Sequence, residues 1–337
     1  MPTLSKKDNY LRMLRGEMPE YIPSMMDGFA FGGVMLGPDL GGLMGDWGDK
    51  TEVKDMFGVP YVRELNANNG PIPKPGEFIL DDITKWRDVI KRPEVLDNID
   101  WQYLADTQLP QFDRENGIMS GGASVGNGYF EMLVSFMGFD NGLIACFEEP
   151  EEVKDLLNFI LEMNVELAKN FIYYYKPETG GGGDDIAHER APFISLEMFE
   201  DIFEPVWRAS IAPWVEAGCL TSHHNCGKFE AFVPHIVDMG YNAWNPAETM
   251  NDLVAIKKRF PKLAICGGFD GNGYVCYPET TEEQVRAYVR EVCDMLAPGG
   301  GYAFGGGIMG APGDPVVAER TGWIQDEFEK IRYSYYN

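Results

Sequence analysis

From residue 149 onward the chain alternates between helical periodicity and short apolar runs, and this alternation limits the fold more than any other feature. Residues 149 to 176 open it: Val153, Leu156, Leu157, Ile160, Met163, Leu167 and Phe171 recur at helical spacing. Pro150 stands near the start, with Glu151 and Glu152 in the first turn, where the helix dipole favours carboxylates. The run Gly180-Gly181-Gly182-Gly183 ends this helix and reads as a flexible loop. Ser195 then caps a helix to about residue 217, and residues 219 to 222 read as a strand. A helix over 228–239, a segment at 241–244, a helix over 251–260 and a strand at 263–266 continue the pattern. Thr280 and Glu283 make a capping-box pair for a helix to about residue 296. Residues 302 to 304 are the next strand, and Asp314-Pro315 opens the last helix.

Such a rhythm predicts a parallel sheet covered by helices. A (β/α)8 TIM barrel suits 337 residues, since barrels need roughly 250 and tolerate insertions. No glycine fingerprint opens a first βα unit, which counts against a dinucleotide-binding sheet. The glycine run lacks the lysine and hydroxyl of a phosphate-binding loop. Glycine and proline recur through 25–48 and 66–76, so the first third reads as a loop-rich elaboration. The expectation is one barrel domain over residues 1–337.

Charge narrows the partners. Asp and Glu number 53 against 28 Lys and Arg, a formal net charge of −25. Nucleic-acid backbones and anionic membranes are repelled by such a surface. No run approaches the ~18 apolar residues of a membrane span, and the first residues carry no signal-peptide core, so cytoplasmic residence is the expectation. Six cysteines are too few for a disulfide scaffold and read as core thiols or metal ligands.

The most informative segment is Cys219-Leu-Thr-Ser-His223-His224-Asn225-Cys226-Gly227, which ends a strand and precedes a helix. In a barrel that is the catalytic mouth. In His224-x-Cys226, alternation along extended chain sends imidazole and thiol to one side, half of a zinc site. A barrel-lining histidine beside a buried cysteine is the plainer reading. Glu248, one βα unit later, supplies a third ligand or only a carboxylate near a helix N-terminus. Asp185, His188 and Glu189 form a second acidic cluster, for metal or substrate or merely solvated. Asp27 ends a first strand, and Phe29, Phe31, Tyr129 and Trp244 could hold a ring or pack a core.

These landmarks resemble the uroporphyrinogen decarboxylase superfamily, especially its corrinoid-dependent methyltransferase branch, over nearly the whole chain. The resemblance rests on Asp46-Trp47-Gly48, Phe78 to Asp82 followed by Trp86, Gly138 to Pro150, Ser195 to Pro205, His224-Asn-Cys226-Gly227, Gly267-Gly-Phe-Asp270 and Gly305 to Pro315. It implies zinc on His224, Cys226 and Glu248, with Glu189 or Cys266 as substitutes. It also implies a methyltransferase acting on a small methylated donor, an aryl methyl ether for preference; Asp27, Phe29 and Tyr129 are the expected substrate contacts. Asp185 is the candidate acid for the leaving oxygen. One barrel nearly fills the sequence and the cobalt-ligand motif of cobalamin-binding domains is lacking, so the cobalamin is expected on a separate corrinoid protein; a homodimer stays open.

Two departures qualify the resemblance. Residues 24–31, Ser-Met-Met-Asp-Gly-Phe-Ala-Phe, carry none of the arginines with which the decarboxylases hold substrate carboxylates. The stretch Gly305 to Pro312 lacks the late cysteine of thiol-activating members, leaving a more Lewis-acidic metal suited to an ether oxygen. The alternatives are a non-catalytic barrel that binds a small molecule or partner, and a decarboxylase.

Overall fold

The computed structural model describes residues 2–27, 47–64, 70–121, 124–311 and 313–336. Phe29, Phe31 and Asp46 lie outside the described residues. The N-terminal part carries a small antiparallel sheet of β1 (Glu52–Lys54), β2 (Pro60–Glu64) and β3 (Gly70–Pro73). A second sheet follows, of β4 (Ser120–Gly121), β5 (Thr179–Gly183), β6 (Leu220–His224), β7 (Ala243–Ala247), β8 (Ala264–Gly268) and β9 (Tyr302–Gly305). Its six strands are hydrogen-bonded in chain order and every pair is parallel. Ser24 extends this arc by a parallel bridge to Phe304, whose N–H donates to the Pro23 carbonyl at 2.9 Å.

The fold is the (β/α)8 TIM barrel with an N-terminal elaboration, as the alternation predicts. Among the described residues no pairing joins the Ser24 segment to Ser120. Helix Lys6–Leu14 covers one end of the ring: Tyr10, Leu11, Met13 and Leu14 pack with Ala243, Ala264, Cys266 and Ala303. Small side chains on β7, β8 and β9 leave the room that this helix fills. The main core runs from Ile22 and Trp47 to Phe328 without a break, so the elaboration and the barrel share one apolar interior.

Helix Pro150–Tyr175 buries all seven of the residues whose spacing predicts it, and Lys176 closes it in the left-handed conformation. Asp314 caps helix Pro315–Ile331 through the Val316 N–H. The capping box sits one residue later than expected, at Thr281 and Gln284. No single helix among the described residues is long and apolar enough to cross a membrane. The bent pair Tyr129–Met137 and Phe139–Glu148 has the composition for it, yet its buried side chains belong to the core.

The largest correction concerns the glycine run. It is no loop but strand β5, in the interior of the parallel sheet. Glycine weakens a strand, yet neighbours leave little room here for anything else. A Cβ at Gly180 would lie 2.2 Å from Trp214 Cε3, and one at Gly181 would lie 2.5 Å from the Ser222 carbonyl oxygen. One at Gly183 would lie 2.5 Å from His224 Cβ. Bulk supplied by helix Glu204–Glu216 and by β6 is what requires a bare strand.

Candidate metal centre

Strand β6 runs two residues further than its apolar pattern indicates and carries both histidines. Alternation sends them to opposite faces. Thr221 and His223 are buried on the helix side, whereas Leu220, Ser222 and His224 face the ring. The chain then turns through Asn225 and Cys226 to Gly227, at φ +79°. A Cβ on Gly227 would meet the Ala187 carbonyl at 2.7 Å, so the turn passes close beneath the loop after β5.

That approach brings Asp185, His224 and Cys226 together, with one ligand atom from each lying within 4.8 Å of the others. His224 Nε2 is 3.7 Å from Cys226 Sγ and 3.7 Å from Asp185 Oδ1. Asp185 Oδ1 also accepts the Cys226 N–H at 2.8 Å, which fixes the carboxylate against the turn. Across the ring, His224 Nδ1 lies 3.2 Å from Asn245 Oδ1, and Asn245 Nδ2 donates to Ser222 Oγ at 2.5 Å. The amide therefore orients the imidazole with Nε2 toward the cluster.

Glu248 stands beside the cluster. Its Oε2 accepts the Gly227 N–H at 2.5 Å, and it shares with Cys226 and Glu189 a cavity of about 600 Å³. Buried Asn251 clamps the region by accepting from the Phe229 and Glu230 N–H groups and donating to the Gly227 and Glu248 carbonyls. Burial and the negative charges of Asp185 and Glu248 push the Cys226 thiol up, so without a cation it stays protonated.

The donor set fits zinc. Around a tetrahedral ion with bonds of ~2.0–2.3 Å, a nitrogen–sulfur pair stands about 3.5 Å apart and a nitrogen–oxygen pair about 3.3 Å, so the two 3.7 Å separations close onto an ion with side-chain shifts of a few tenths of an ångström. The nitrogen, thiol and carboxylate classes are all ones that zinc accepts. His224 keeps about half of its side chain exposed, so the site opens to the mouth.

A second cavity of about 390 Å³ touches the cluster from the other side, through Asp185 and His224. Tyr129 lines it, and its hydroxyl is held by Asn164 Nδ2 at 3.3 Å and by Ser210. His223 also lines it, with Glu131, Trp207, Trp214 and Tyr241, four residues that the sequence did not single out. Glu131 belongs to helix Tyr129–Met137 and accepts the Gly128 N–H. Burial, then the charge of Asp185, raises its carboxyl above the usual range. Asp184 is fully buried, accepts from the Phe130 and Glu131 N–H groups and from Trp207 Nε1, and is raised by burial and by Glu131. Burial pulls His223 down to about 3, so the ring is neutral.

Of the remaining candidates, Asp27, Cys266 and Trp244 lie outside the cluster, and His188 lines the larger cavity. Asp27 is buried against Arg332, which has no exposure, and stands 3.7 Å from Lys6. Cys266 is fully buried beside Tyr10, its thiol raised by burial to about 12. Trp244 is core, its ring tilted 46° against Phe229, with Nε1 donating to the Asn225 carbonyl. His188 stacks on Phe193, and its Nδ1 accepts the Arg190 N–H.

The family described as Uroporphyrinogen decarboxylase (URO-D) matches residues 126–317. Among solved structures, a methyltransferase from Methanosarcina mazei superposes with a TM-score of 0.61 at 13% identity, over 97% of this chain and 99% of that one. No curated protein sequence matches the chain.

Proposed function

Since the chain belongs to the uroporphyrinogen decarboxylase (URO-D) family, we propose that it moves a methyl group from a small methylated donor to the cob(I)alamin of a separate corrinoid protein. The preferred donor is an aryl methyl ether. One observation carries this reading: the Asp185, His224 and Cys226 donors converge at the open mouth, between two cavities. Likeness in fold to a methyltransferase supports it.

In this reading Asp185, His224 and Cys226 hold zinc, with Glu248 as the adjacent carboxylate. Bound there, the metal supplies Lewis acidity toward the donor oxygen. Asn245 keeps the His224 ring turned toward the cluster. The Cys226 N–H keeps Asp185 in place. Trp207, Trp214, Tyr129 and Tyr241 give the smaller cavity walls suited to a ring. The methyl–oxygen bond breaks with its electron pair left on oxygen, and the corrinoid approaches from the solvent side of His224.

Decarboxylation of a polyacidic tetrapyrrole is disfavoured by the same cavities. Neither is lined by Lys or Arg, and the residues outside the described set, 1, 28–46, 65–69, 122–123, 312 and 337, contain none. Substrate carboxylates would meet Glu131, Asp185, Glu189, Glu248 and Asp270 without a counter-ion.

The test is a donor screen with free cob(I)alamin, read by the spectral change to methylcobalamin. Turnover of methoxyarenes is expected, with near-stoichiometric zinc by elemental analysis and both lost in His224→Ala. Activity in fully metal-free protein would remove the metal assignment. No methylation with any donor, in the presence of zinc and the cognate corrinoid protein, would remove the function.

A further inference from the structure

The cavity beside Asp185 and His224 owes its existence to β5. Gly180 and Gly182 face the helix layer, where a side chain would ordinarily fill the space between strand and helix. A Cβ on Gly182 would find only Tyr241 Oη within 4 Å, at 3.2 Å. With no side chains on residues 180–183, the space behind the strand is continuous with the mouth, and the residues around it include both His223 and His224. At about 390 Å³ it falls in the lower part of the ~300–1,000 Å³ range of small-molecule sites.

Its inner end holds an unpaired polar group. His223 is 1% exposed, yet neither Nδ1 nor Nε2 has a hydrogen-bond partner, the only imidazole among the described residues left so. Around it stand Trp207 at 4.6 Å, Tyr241 at 4.9 Å and Phe229 at 5.3 Å between ring centroids. These contacts hold the ring without satisfying it. Of the other polar side chains there, Tyr129 is held by Asn164 and Ser210, and Asn164 also accepts the Val125 N–H. Buried polar atoms are seldom left orphaned, and an imidazole offers a donor on one nitrogen and an acceptor on the other.

We propose that this cavity is a slot for a flat, uncharged aromatic ring bearing a hydroxyl beside its methoxy group, with the hydroxyl hydrogen-bonded to His223 and the methoxy oxygen turned toward the Asp185, His224 and Cys226 cluster. Trp207 and Trp214 supply apolar walls, and the bare strand lets a planar ring lie close to the sheet. The inference rests on the methyl-transfer reading for the role of the methoxy group, but the slot itself is read by binding alone.

Ligand-observed NMR titration of the purified protein with 2-methoxyphenol and with methoxybenzene measures it, without corrinoid. Wild type is expected to bind 2-methoxyphenol at least about tenfold more tightly, because methoxybenzene leaves the buried imidazole unpaired. In His223→Phe that preference falls to within about twofold. Gly182→Ala places a methyl group in the slot and is expected to weaken both ligands at least about tenfold. It carries the test should His223→Phe fail to fold. A wild-type ratio near one, a preference kept in His223→Phe, or unchanged binding in Gly182→Ala overturns the slot. Binding that follows these expectations without methyl transfer leaves the slot and removes the function. Methyl transfer with an unmoved ratio does the reverse.

Discussion

Two alanine substitutions two residues apart on β5 should behave in opposite ways. The Cβ of Gly180→Ala would fall 2.2 Å from Trp214 Cε3 and 2.6 Å from Cδ2, both in a rigid ring that is 3% exposed and packs against Phe171. Ordinary contact needs about 3.5–4.0 Å, so ring or strand must move by more than an ångström. Overpacking of this kind costs about 1–3 kcal/mol, and the upper end applies because the obstacle is a buried indole. Gly182→Ala meets a single hydroxyl oxygen at 3.2 Å and gains the ~0.5–1 kcal/mol by which alanine exceeds glycine inside a strand. With an unfolding entropy of about 2.1 cal/mol/K per residue, 337 residues give about 0.7 kcal/mol per degree. Gly180→Ala should therefore lower Tm by about 4 °C, while Gly182→Ala stays within about 1 °C of wild type. Differential scanning fluorimetry reads the pair, and calorimetry checks it. A Gly180→Ala protein as stable as Gly182→Ala would refute the claim that steric demand from the helix layer explains the glycine strand.

Two further expectations concern buried charge. Asp27→Asn removes one of the two carboxylates paired with fully buried Arg332, Glu329 being the other, and should lower stability by about 1–3 kcal/mol in chemical denaturation. Stability should fall as pH drops below about 6.5, because the unfolded chain protonates His223 while the folded ring, lowered to about 3, refuses the proton. At pH 4.5 that linkage amounts to about 3 kcal/mol relative to pH 7. His223→Phe should show a correspondingly shallower acid limb in urea titrations, and an equal limb would refute the neutral buried ring.

Local pattern was enough to read the barrel and half of the site. Seven residues at helical spacing specify helix Pro150–Tyr175, because one apolar stripe has one way to be buried. Asp314-Pro315 marks the last helix, because a capping carboxylate acts within three residues of itself. His224 and Cys226 were legible as a pair because two residues on extended chain share a face whatever surrounds them. Asp185 stood only as a candidate acid in a cluster that could take metal, substrate or solvent, and nothing local joined it to that pair. Asp185 reaches the cluster only because β5 pairs with β6 in a register that sets Gly183 opposite His224. Glu248, which follows the next strand, is drawn instead to the Gly227 N–H.

The glycine run shows the same division from the other side. Its composition speaks for a loop, since nothing local favours a strand, and only Trp214, Ser222 and His224 arriving from other elements make glycine the residue that fits. Asp27 was expected to meet a substrate and pairs instead with Arg332, 305 residues further along the chain. By itself the sequence determined the long helices, the strands from β6 onward, their order and the pair at the mouth, all of which depend on side chains within a few residues of one another. Tertiary structure decided which carboxylate joins that pair, which histidine is left buried without a partner, and where a cavity opens. Those outcomes depend on strand register and on bulk contributed from distant parts of the chain, and no local pattern carries either.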